Sequence, residues 1–341
     1  MLNAAIVGLG WWGRTLVRAA QATGGIRIVA GATGRRALAE EYARDQGFRL
    51  HDDLAGVLAD PAVEAVLLAT PHLDHDDQVV AAAAAGKAIF VEKPFTMTRA
   101  GAERAIAAVA RAGVVIGLGH NRRFHPHMAE LRRRIAAGGL GTILHVEGTM
   151  TAPNGLFLKP DSWRVDPAQS PAGGMAGLGI HMIDGMIDLV GEIAEVTAQA
   201  IHRATPSGAK DTTSVLLRFR DEGGVPGPTG FVSCMTATAP TYRFCVYGSK
   251  GVAEIRGQGL DQFSFIPTPD APLGGHATPK PAETAEVKGF DTVAAELAAF
   301  AAAVAGRAAF PISHREMIHG AAVFEAIAAS AAGNVRVEVP R

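Results

Sequence analysis

Cysteine is almost absent. Of 341 residues only Cys234 and Cys245 carry a thiol. Both fall in strand-like stretches and nothing demands a bridge, so buried free thiols are expected. A charge excess is also missing. The net charge is −1 at pH 7, which provides no overall field for nucleic acid or an anionic membrane. No apolar run of about 18 residues escapes charge, so no membrane span is expected. Met1–Gly10 has no Lys or Arg ahead of its apolar stretch and does not read as a secretory leader. No internal repeat is present. These absences point to a soluble protein of the cytoplasm, without nucleic-acid or membrane partners.

What is present is the composition of a globular protein, 48% hydrophobic and 19% charged. The length exceeds one ordinary core and implies two domains. Through the first 120 residues short apolar runs alternate with helical patterns. Runs at 4–7, 26–30, 63–69, 88–91 and 114–117 read as strands. Stretches 14–22, 37–46, 77–85 and 100–112 read as helices. That alternation predicts βαβ units and a parallel sheet covered on both faces. After residue 120 the pattern changes. Helices are expected at 126–137, 179–190, 291–305 and 315–332. Alternating stretches at 142–151, 195–203, 212–220, 229–239, 242–247 and 251–256 read as strands. Loops are expected at 223–228 and 267–281. The prediction is an α/β dinucleotide-binding domain over 1–120, then an α+β domain over 121–341. The second sheet would have one face covered by helices, its open face serving self-association. Arg132–Arg134 are expected on a solvated helix face.

Gly8-Leu9-Gly10-Trp11-Trp12-Gly13 carries the first chemical signal. In a chain with 40 glycines a bare G-x-G-x-x-G is weak. Its place, between the first strand and the first helix, makes it strong. There Gly8 permits a tight turn, Gly10 a close approach of the pyrophosphate, and Gly13 helix–strand packing. Trp11 and Trp12 lie inside the motif. An acidic residue about twenty positions later normally holds the ribose 2′-hydroxyl of NAD. Residues 26–36 contain none and end in Ala32-Thr33-Gly34-Arg35-Arg36. Thr33, Arg35 and Arg36 suit a 2′-phosphate, which favours NADP over NAD. Alternatively, Arg35 and Arg36 simply open the next helix.

Further along stand Thr70-Pro71 with His75, Gly86-Lys87 leading to Glu92-Lys93-Pro94, and Asn121-Arg122-Arg123-Phe124 with Pro126. Trp163-Arg164, Gly173-Gly174 and Gly179-Ile180-His181-Met182-Ile183-Asp184 follow. With the glycine motif, these segments resemble the Gfo/Idh/MocA oxidoreductases, named for glucose–fructose oxidoreductase and inositol dehydrogenase. The resemblance implies a Rossmann domain and a second domain with a large, open, mainly antiparallel sheet. It also implies dimers or tetramers formed through that sheet.

The resemblance makes Lys93 the acid/base and His181 its helper. Independently, ligands of parallel sheets bind beyond the carboxyl ends of strands, where Glu92, Lys93 and Pro94 fall. A positively charged nicotinamide beside a lysine favours the neutral amine, which can accept a hydroxyl proton. His181 lies one helical turn before Asp184, so the two could pair. By resemblance Pro94 follows a cis peptide, Asn121 lies near the cofactor, and Trp163 and Arg164 lie near the substrate. Thr70, Pro71 and His75 would line the cofactor rim, although His75 could simply cap the next helix. Relatives carry an aspartate four residues before the histidine; here that position is Gly177. This departure weakens a three-residue relay and leaves space for a larger substrate.

The implied reaction moves a hydride between nicotinamide and a secondary alcohol or ketone of a sugar, cyclitol or related polyhydroxylated compound. A trans-dihydrodiol is a variant of the same chemistry. A non-catalytic nucleotide sensor is the rival from another class, favoured by Gly177 and opposed by Lys93 together with His181. Metal is not expected. His72, Asp74, His75, Asp76 and Asp77 cluster, as do His120, His125 and His127, but neither shows a metal-binding spacing.

Overall fold

The computed structural model describes residues 1–270, 275 and 277–341. Part of the loop expected at 267–281 therefore falls outside the described residues. The chain forms two compact units. One is Met1–Asn121 with Asp291–Ala321; the other is Arg122–Phe290 with Ala322–Arg341.

The first unit holds a parallel sheet of β1 (Leu2–Val7), β2 (Ile26–Ala32), β3 (Arg49–Leu50), β4 (Ala65–Leu68), β5 (Ala88–Glu92) and β6 (Ile116–Gly119). The strand order is β3-β2-β1-β4-β5-β6, the doubly wound arrangement with its switch point between β1 and β4. β4 and β5 are buried at every residue, as strands covered on both faces must be. Helices α1 (Trp11–Thr23), α2 (Glu40–Asp45), α3 (Leu54–Ala59), α4 (His75–Ala84) and α5 (Arg99–Ala112) connect them. Val66 and Val91 share one core with Val79 of α4 and Val109 of α5. Ile6 and Leu67 share the other with Leu16 of α1.

The second unit begins with α6 (Pro126–Ala136), β7 (Ile143–Thr151) and α7 (Gly179–Val190). Its further strands are β8 (Ile193–Ile201), β9 (Thr212–Phe219), β10 (Thr229–Met235), β11 (Thr241–Gly248), β12 (Gly251–Arg256), β13 (Gln262–Pro267), β14 (Glu283–Glu286) and β15 (Arg336–Glu338). They form one nine-stranded sheet, ordered β14-β13-β12-β11-β7-β10-β9-β8-β15. β7 and β10 run parallel and the other pairs antiparallel. α7 packs over β7 and β10, and α6 meets β12. On the opposite face Glu147, Phe231 and Leu216 stand side by side in register. Leu216 is 61% exposed, so that face is open.

Two helices remain, α8 (Thr292–Val304) and α9 (His314–Gly333). Assigning all of 121–341 to the second domain needs correction here. Leu297 and Phe300 of α8 lie in the core with Leu16, and Met317 of α9 lies in the core with Val79. An apolar stripe shows that a helix is buried, not which sheet it covers. The latter part of α9 belongs to the second unit, where Ser330 Oγ accepts the Ala198 N–H at 2.8 Å.

The arginine run on α6 is also less solvated than expected. Arg133 is exposed and pairs with Glu130, but Arg134 bridges Glu130 and Glu283 and stacks over Phe263 and Phe265. Arg132 pairs with Asp188 on α7. Asp188 and Glu283 come from other elements, which helical periodicity cannot reveal. No described helix is long and apolar enough to cross a membrane.

Candidate active site

In the first unit the register levels the strand ends. Val7 pairs with Ala32 and Leu68, Leu68 with Val91, and Val91 with Leu118. The next residue of each strand therefore stands at one carboxyl edge: Gly8, Thr33, Ala69, Glu92 and Gly119. This is where an open α/β sheet binds ligands.

Gly8 turns with φ +95°, and a Cβ there would fall 2.3 Å from the Ala69 carbonyl oxygen. A Cβ on Gly13 would fall 1.8 Å from the Gly8 oxygen. Both glycines are therefore required by packing. Gly10 differs: a Cβ there would meet nothing within 4 Å. It precedes α1 without a side-chain cap, so the helix presents its first N–H groups and positive dipole end to open space. Those features fit a pyrophosphate. Trp11 is 75% exposed beside that space, and Trp12 is tilted against it with ring centroids 5.3 Å apart.

At the end of β2 the arginine pair divides. Arg36 opens a 3₁₀ turn and is held by Glu40 at 3.2 Å and Asp52 at 2.7 Å. Both ion pairs are exposed surface pairs, which contribute little. Arg35 is exposed, and its backbone N–H lies 3.5 Å from Thr33 Oγ1. The Arg14 guanidinium donates to Leu38 O at 2.8 Å and covers the Tyr42 ring, tying this loop to α1.

The loops after β4 and β5 are fastened by His75. Its Nδ1 lies 2.8 Å from Pro94 O and its Nε2 3.2 Å from Thr70 O. Burial lowers the pKa of this imidazole and favours its neutral form. His75 is the first residue of α4 rather than its cap. Thr70 Oγ1 donates to Gln78 at 2.6 Å. The Lys93–Pro94 peptide is cis. Asn121 Nδ2 donates to Thr292 Oγ1 at 2.6 Å, fastening α8 to the end of the β6 loop.

Glu92 is buried beneath Lys93. Its Oε2 accepts the Lys93 backbone N–H at 3.3 Å, while Oε1 has no hydrogen-bond partner. Burial pushes this carboxyl up to about 7, against the opposing influence of Lys93 and the Trp12 indole N–H. That indole also lacks a partner of full hydrogen-bond geometry. Glu92 pairs across the ladder with Gly119, where a Cβ would fall 2.8–3.0 Å from the carboxyl group.

The remaining candidates belong to the second unit. His181 is buried in the first turn of α7. Both oxygens of Asp184 are engaged by Arg123, at 2.6 and 3.2 Å. Trp163 and Arg164 form a short 3₁₀ turn, with the guanidinium 4.2 Å above the indole centroid. At Gly177 a Cβ would meet only the Gly174 oxygen, at 4.0 Å, so the backbone has room beside it. Both cysteines are free and buried. Burial pushes the Cys234 thiol up to about 12.

Among the described residues no three His, Cys, Asp or Glu side chains are placed to hold a metal. Asp76 and Asp77 both pair with Arg104.

Residues 2–120 match the family model described as oxidoreductase family, NAD-binding Rossmann fold. Residues 128–254 match the model described as the GFO/IDH/MocA C-terminal domain. The chain belongs to the Gfo/Idh/MocA oxidoreductase family. Within it, scyllo-inositol 2-dehydrogenase (NAD(+)) of Bacillus subtilis is 36% identical over 139 residues, 40% of this chain and 41% of that protein. Trans-1,2-dihydrobenzene-1,2-diol dehydrogenase of Mus musculus is 28% identical over 67% of this chain and 66% of its own length. Levoglucosan dehydrogenase of Pseudarthrobacter phenanthrenivorans is 34% identical over 47% and 42%. These matches thus span from about two fifths to two thirds of the relatives. A solved levoglucosan dehydrogenase, in complex with NADH and levoglucosan, superposes with a TM-score of 0.86 at 25% identity. It covers 99% of both chains. The two-domain Gfo/Idh/MocA architecture is therefore shared along the whole length.

Sequence reasoning missed Gly119, Arg14 and the Arg123–Asp184 pair. Gly119 had one usable signal, a glycine closing a buried strand. The other two act through partners distant in sequence.

Proposed function

We propose that the protein is an NAD(P)-dependent dehydrogenase of polyhydroxylated substrates. It would interconvert a secondary alcohol and a ketone on a sugar, a cyclitol or a related compound. The carrying observation is the carboxyl edge of the first sheet, where Gly8 of the glycine turn, which leads to the uncapped end of α1, stands level with Glu92, the residue before Lys93. In this reading Gly8, Gly10, Trp11, Trp12 and Gly13 surround the pyrophosphate side. Thr70, Pro71, His75, Glu92, Pro94 and Asn121 shape the nicotinamide side. When bound, the nucleotide supplies the hydride acceptor or donor.

Lys93 removes the hydroxyl proton during oxidation and returns it during reduction. His181 is its proposed helper, and Trp163 and Arg164 are the proposed substrate residues. With Gly177 in place of a carboxylate, proton handling falls to Lys93 and His181. The room at Gly177 also supports a bulkier substrate, including a trans-dihydrodiol. The open face of the nine-stranded sheet, with Phe231 and Leu216 at its centre, suits a homodimer or homotetramer. Two free thiols suit the cytoplasm.

NADP is the preferred cofactor in this reading. β2 ends without an acid, and Thr33 and Arg35 offer a hydroxyl and a guanidinium to a 2′-phosphate. Tryptophan fluorescence titration with NADPH and NADH tests this preference. NADPH is expected to bind at least tenfold tighter, and Arg35→Ala to abolish that difference. Tighter binding of NADH would reject the phosphate site.

A further inference from the structure

Glu92 has a task that nucleotide binding does not explain. Its carboxyl lies at the end of β5, shut in by Trp12 from α1 and by β6. The β6 residue beside it is Gly119, where a Cβ would fall 2.8–3.0 Å from the carboxyl group and push it from its present place. The fold thus keeps a chamber for one carboxyl, 5% exposed, immediately before Lys93. One oxygen takes the Lys93 backbone N–H; the other is buried without a hydrogen-bond partner. A structural carboxylate would normally have every oxygen satisfied. Leaving one bare makes ionisation costly and ties it to the nearest cation. That cation is Lys93, which lowers the cost of ionising Glu92. From α1 the carboxyl meets the uncharged indole N–H, and from β6 a glycine; the titratable group that follows β6 is the buried His120.

We propose that Glu92 is a positioning residue that sets the charge of Lys93 through its own proton. With the carboxyl protonated, Lys93 is released toward the neutral amine that accepts a hydroxyl proton. With the carboxyl ionised, the ammonium is retained and is ready to protonate a forming alkoxide. The same pair therefore serves either direction of the reaction, with protons exchanged with solvent. The inference rests on Lys93 as the acid/base.

The test needs no substrate. The full chain, without added nucleotide, is acetylated with trace isotopic acetic anhydride across a pH series, and each lysine is followed by mass spectrometry. Lys87, whose Nζ donates to the Asp60 and Val63 carbonyls, is the internal control. Glu92→Gln is expected to move the Lys93 midpoint down by about one pH unit, a tenfold faster acetylation on the rising limb. Glu92→Asp should restore the parental midpoint. Trp12→Phe, which keeps Glu92 but removes an N–H favouring its ionised form, should shift the midpoint in the same direction by less. Identical Lys93 midpoints in the parent, Glu92→Gln and Trp12→Phe, with Lys87 unchanged, would overturn the inference alone. Full turnover in Lys93→Ala would overturn the acid/base reading and this inference with it.

Discussion

Lys93→Ala is expected to lower turnover by about 10²–10⁴-fold, the usual worth of a positioned acid/base, while nucleotide affinity stays within about twofold. The separation follows from where the groups sit. Affinity depends on the turn from Gly8 to Gly13 and the end of α1, which are held by backbone packing against Ala69. Proton transfer depends on a side chain one residue beyond β5. His75 fixes that segment by holding Pro94 O, so the backbone keeps its course when the lysine is truncated. Steady-state kinetics with fluorescence titration distinguishes the two quantities. Loss of binding together with turnover would make Lys93 a cofactor ligand first. Unchanged turnover would remove it from the chemistry.

Arg123→Ala should destabilise the protein by about 3–5 kcal/mol, the cost of stranding a buried charge. Arg123 is 4% exposed and Asp184 7% exposed. The guanidinium meets both Asp184 oxygens and lies 3.5 Å from Asp188. Burial already raises the Asp188 carboxyl, with Arg132 and Arg123 opposing that shift. Removing Arg123 leaves Asp184 without this partner and weakens the support of Asp188. Urea denaturation should show the loss as a lower midpoint. Arg123→Met combined with Asp184→Leu should recover most of it, since both charges of that pair are then gone and Asp188 keeps Arg132. A double variant as unstable as the single one would point to packing. The pair also fixes α7, whose first turn carries His181, so the single variant should lose activity at temperatures where it remains folded.

The legible part of this molecule is the part that local chemistry determines. The turn at Gly8 needs a positive φ and Gly13 has no room for a side chain, so the sequence must spend glycines there. The fully buried β4 and β5 advertise themselves as apolar runs. Elements without a local pattern were not legible. β3 has two residues and α3 only six, too few for a period. α8 shows an apolar stripe whose partner is α1, about 280 residues earlier. The same limit applied at the site. Glu92 and Lys93 were visible as a motif, but the chamber around the carboxyl is made by Trp12 and Gly119, two residues from other elements. Arg36 reads as a phosphate ligand in the sequence, and the fold sets the exposed Glu40 and Asp52 beside it.

The most direct measurement is formation of reduced nicotinamide when the purified chain is mixed with NADP⁺ or NAD⁺ and a panel of scyllo-inositol, levoglucosan, other polyols and a trans-dihydrodiol. The account predicts turnover with at least one secondary alcohol of the panel, lost in Lys93→Ala. Tight nucleotide binding with no turnover on any of them, and a protein partner recovered with the nucleotide-bound chain, would contradict it and make the protein a sensor.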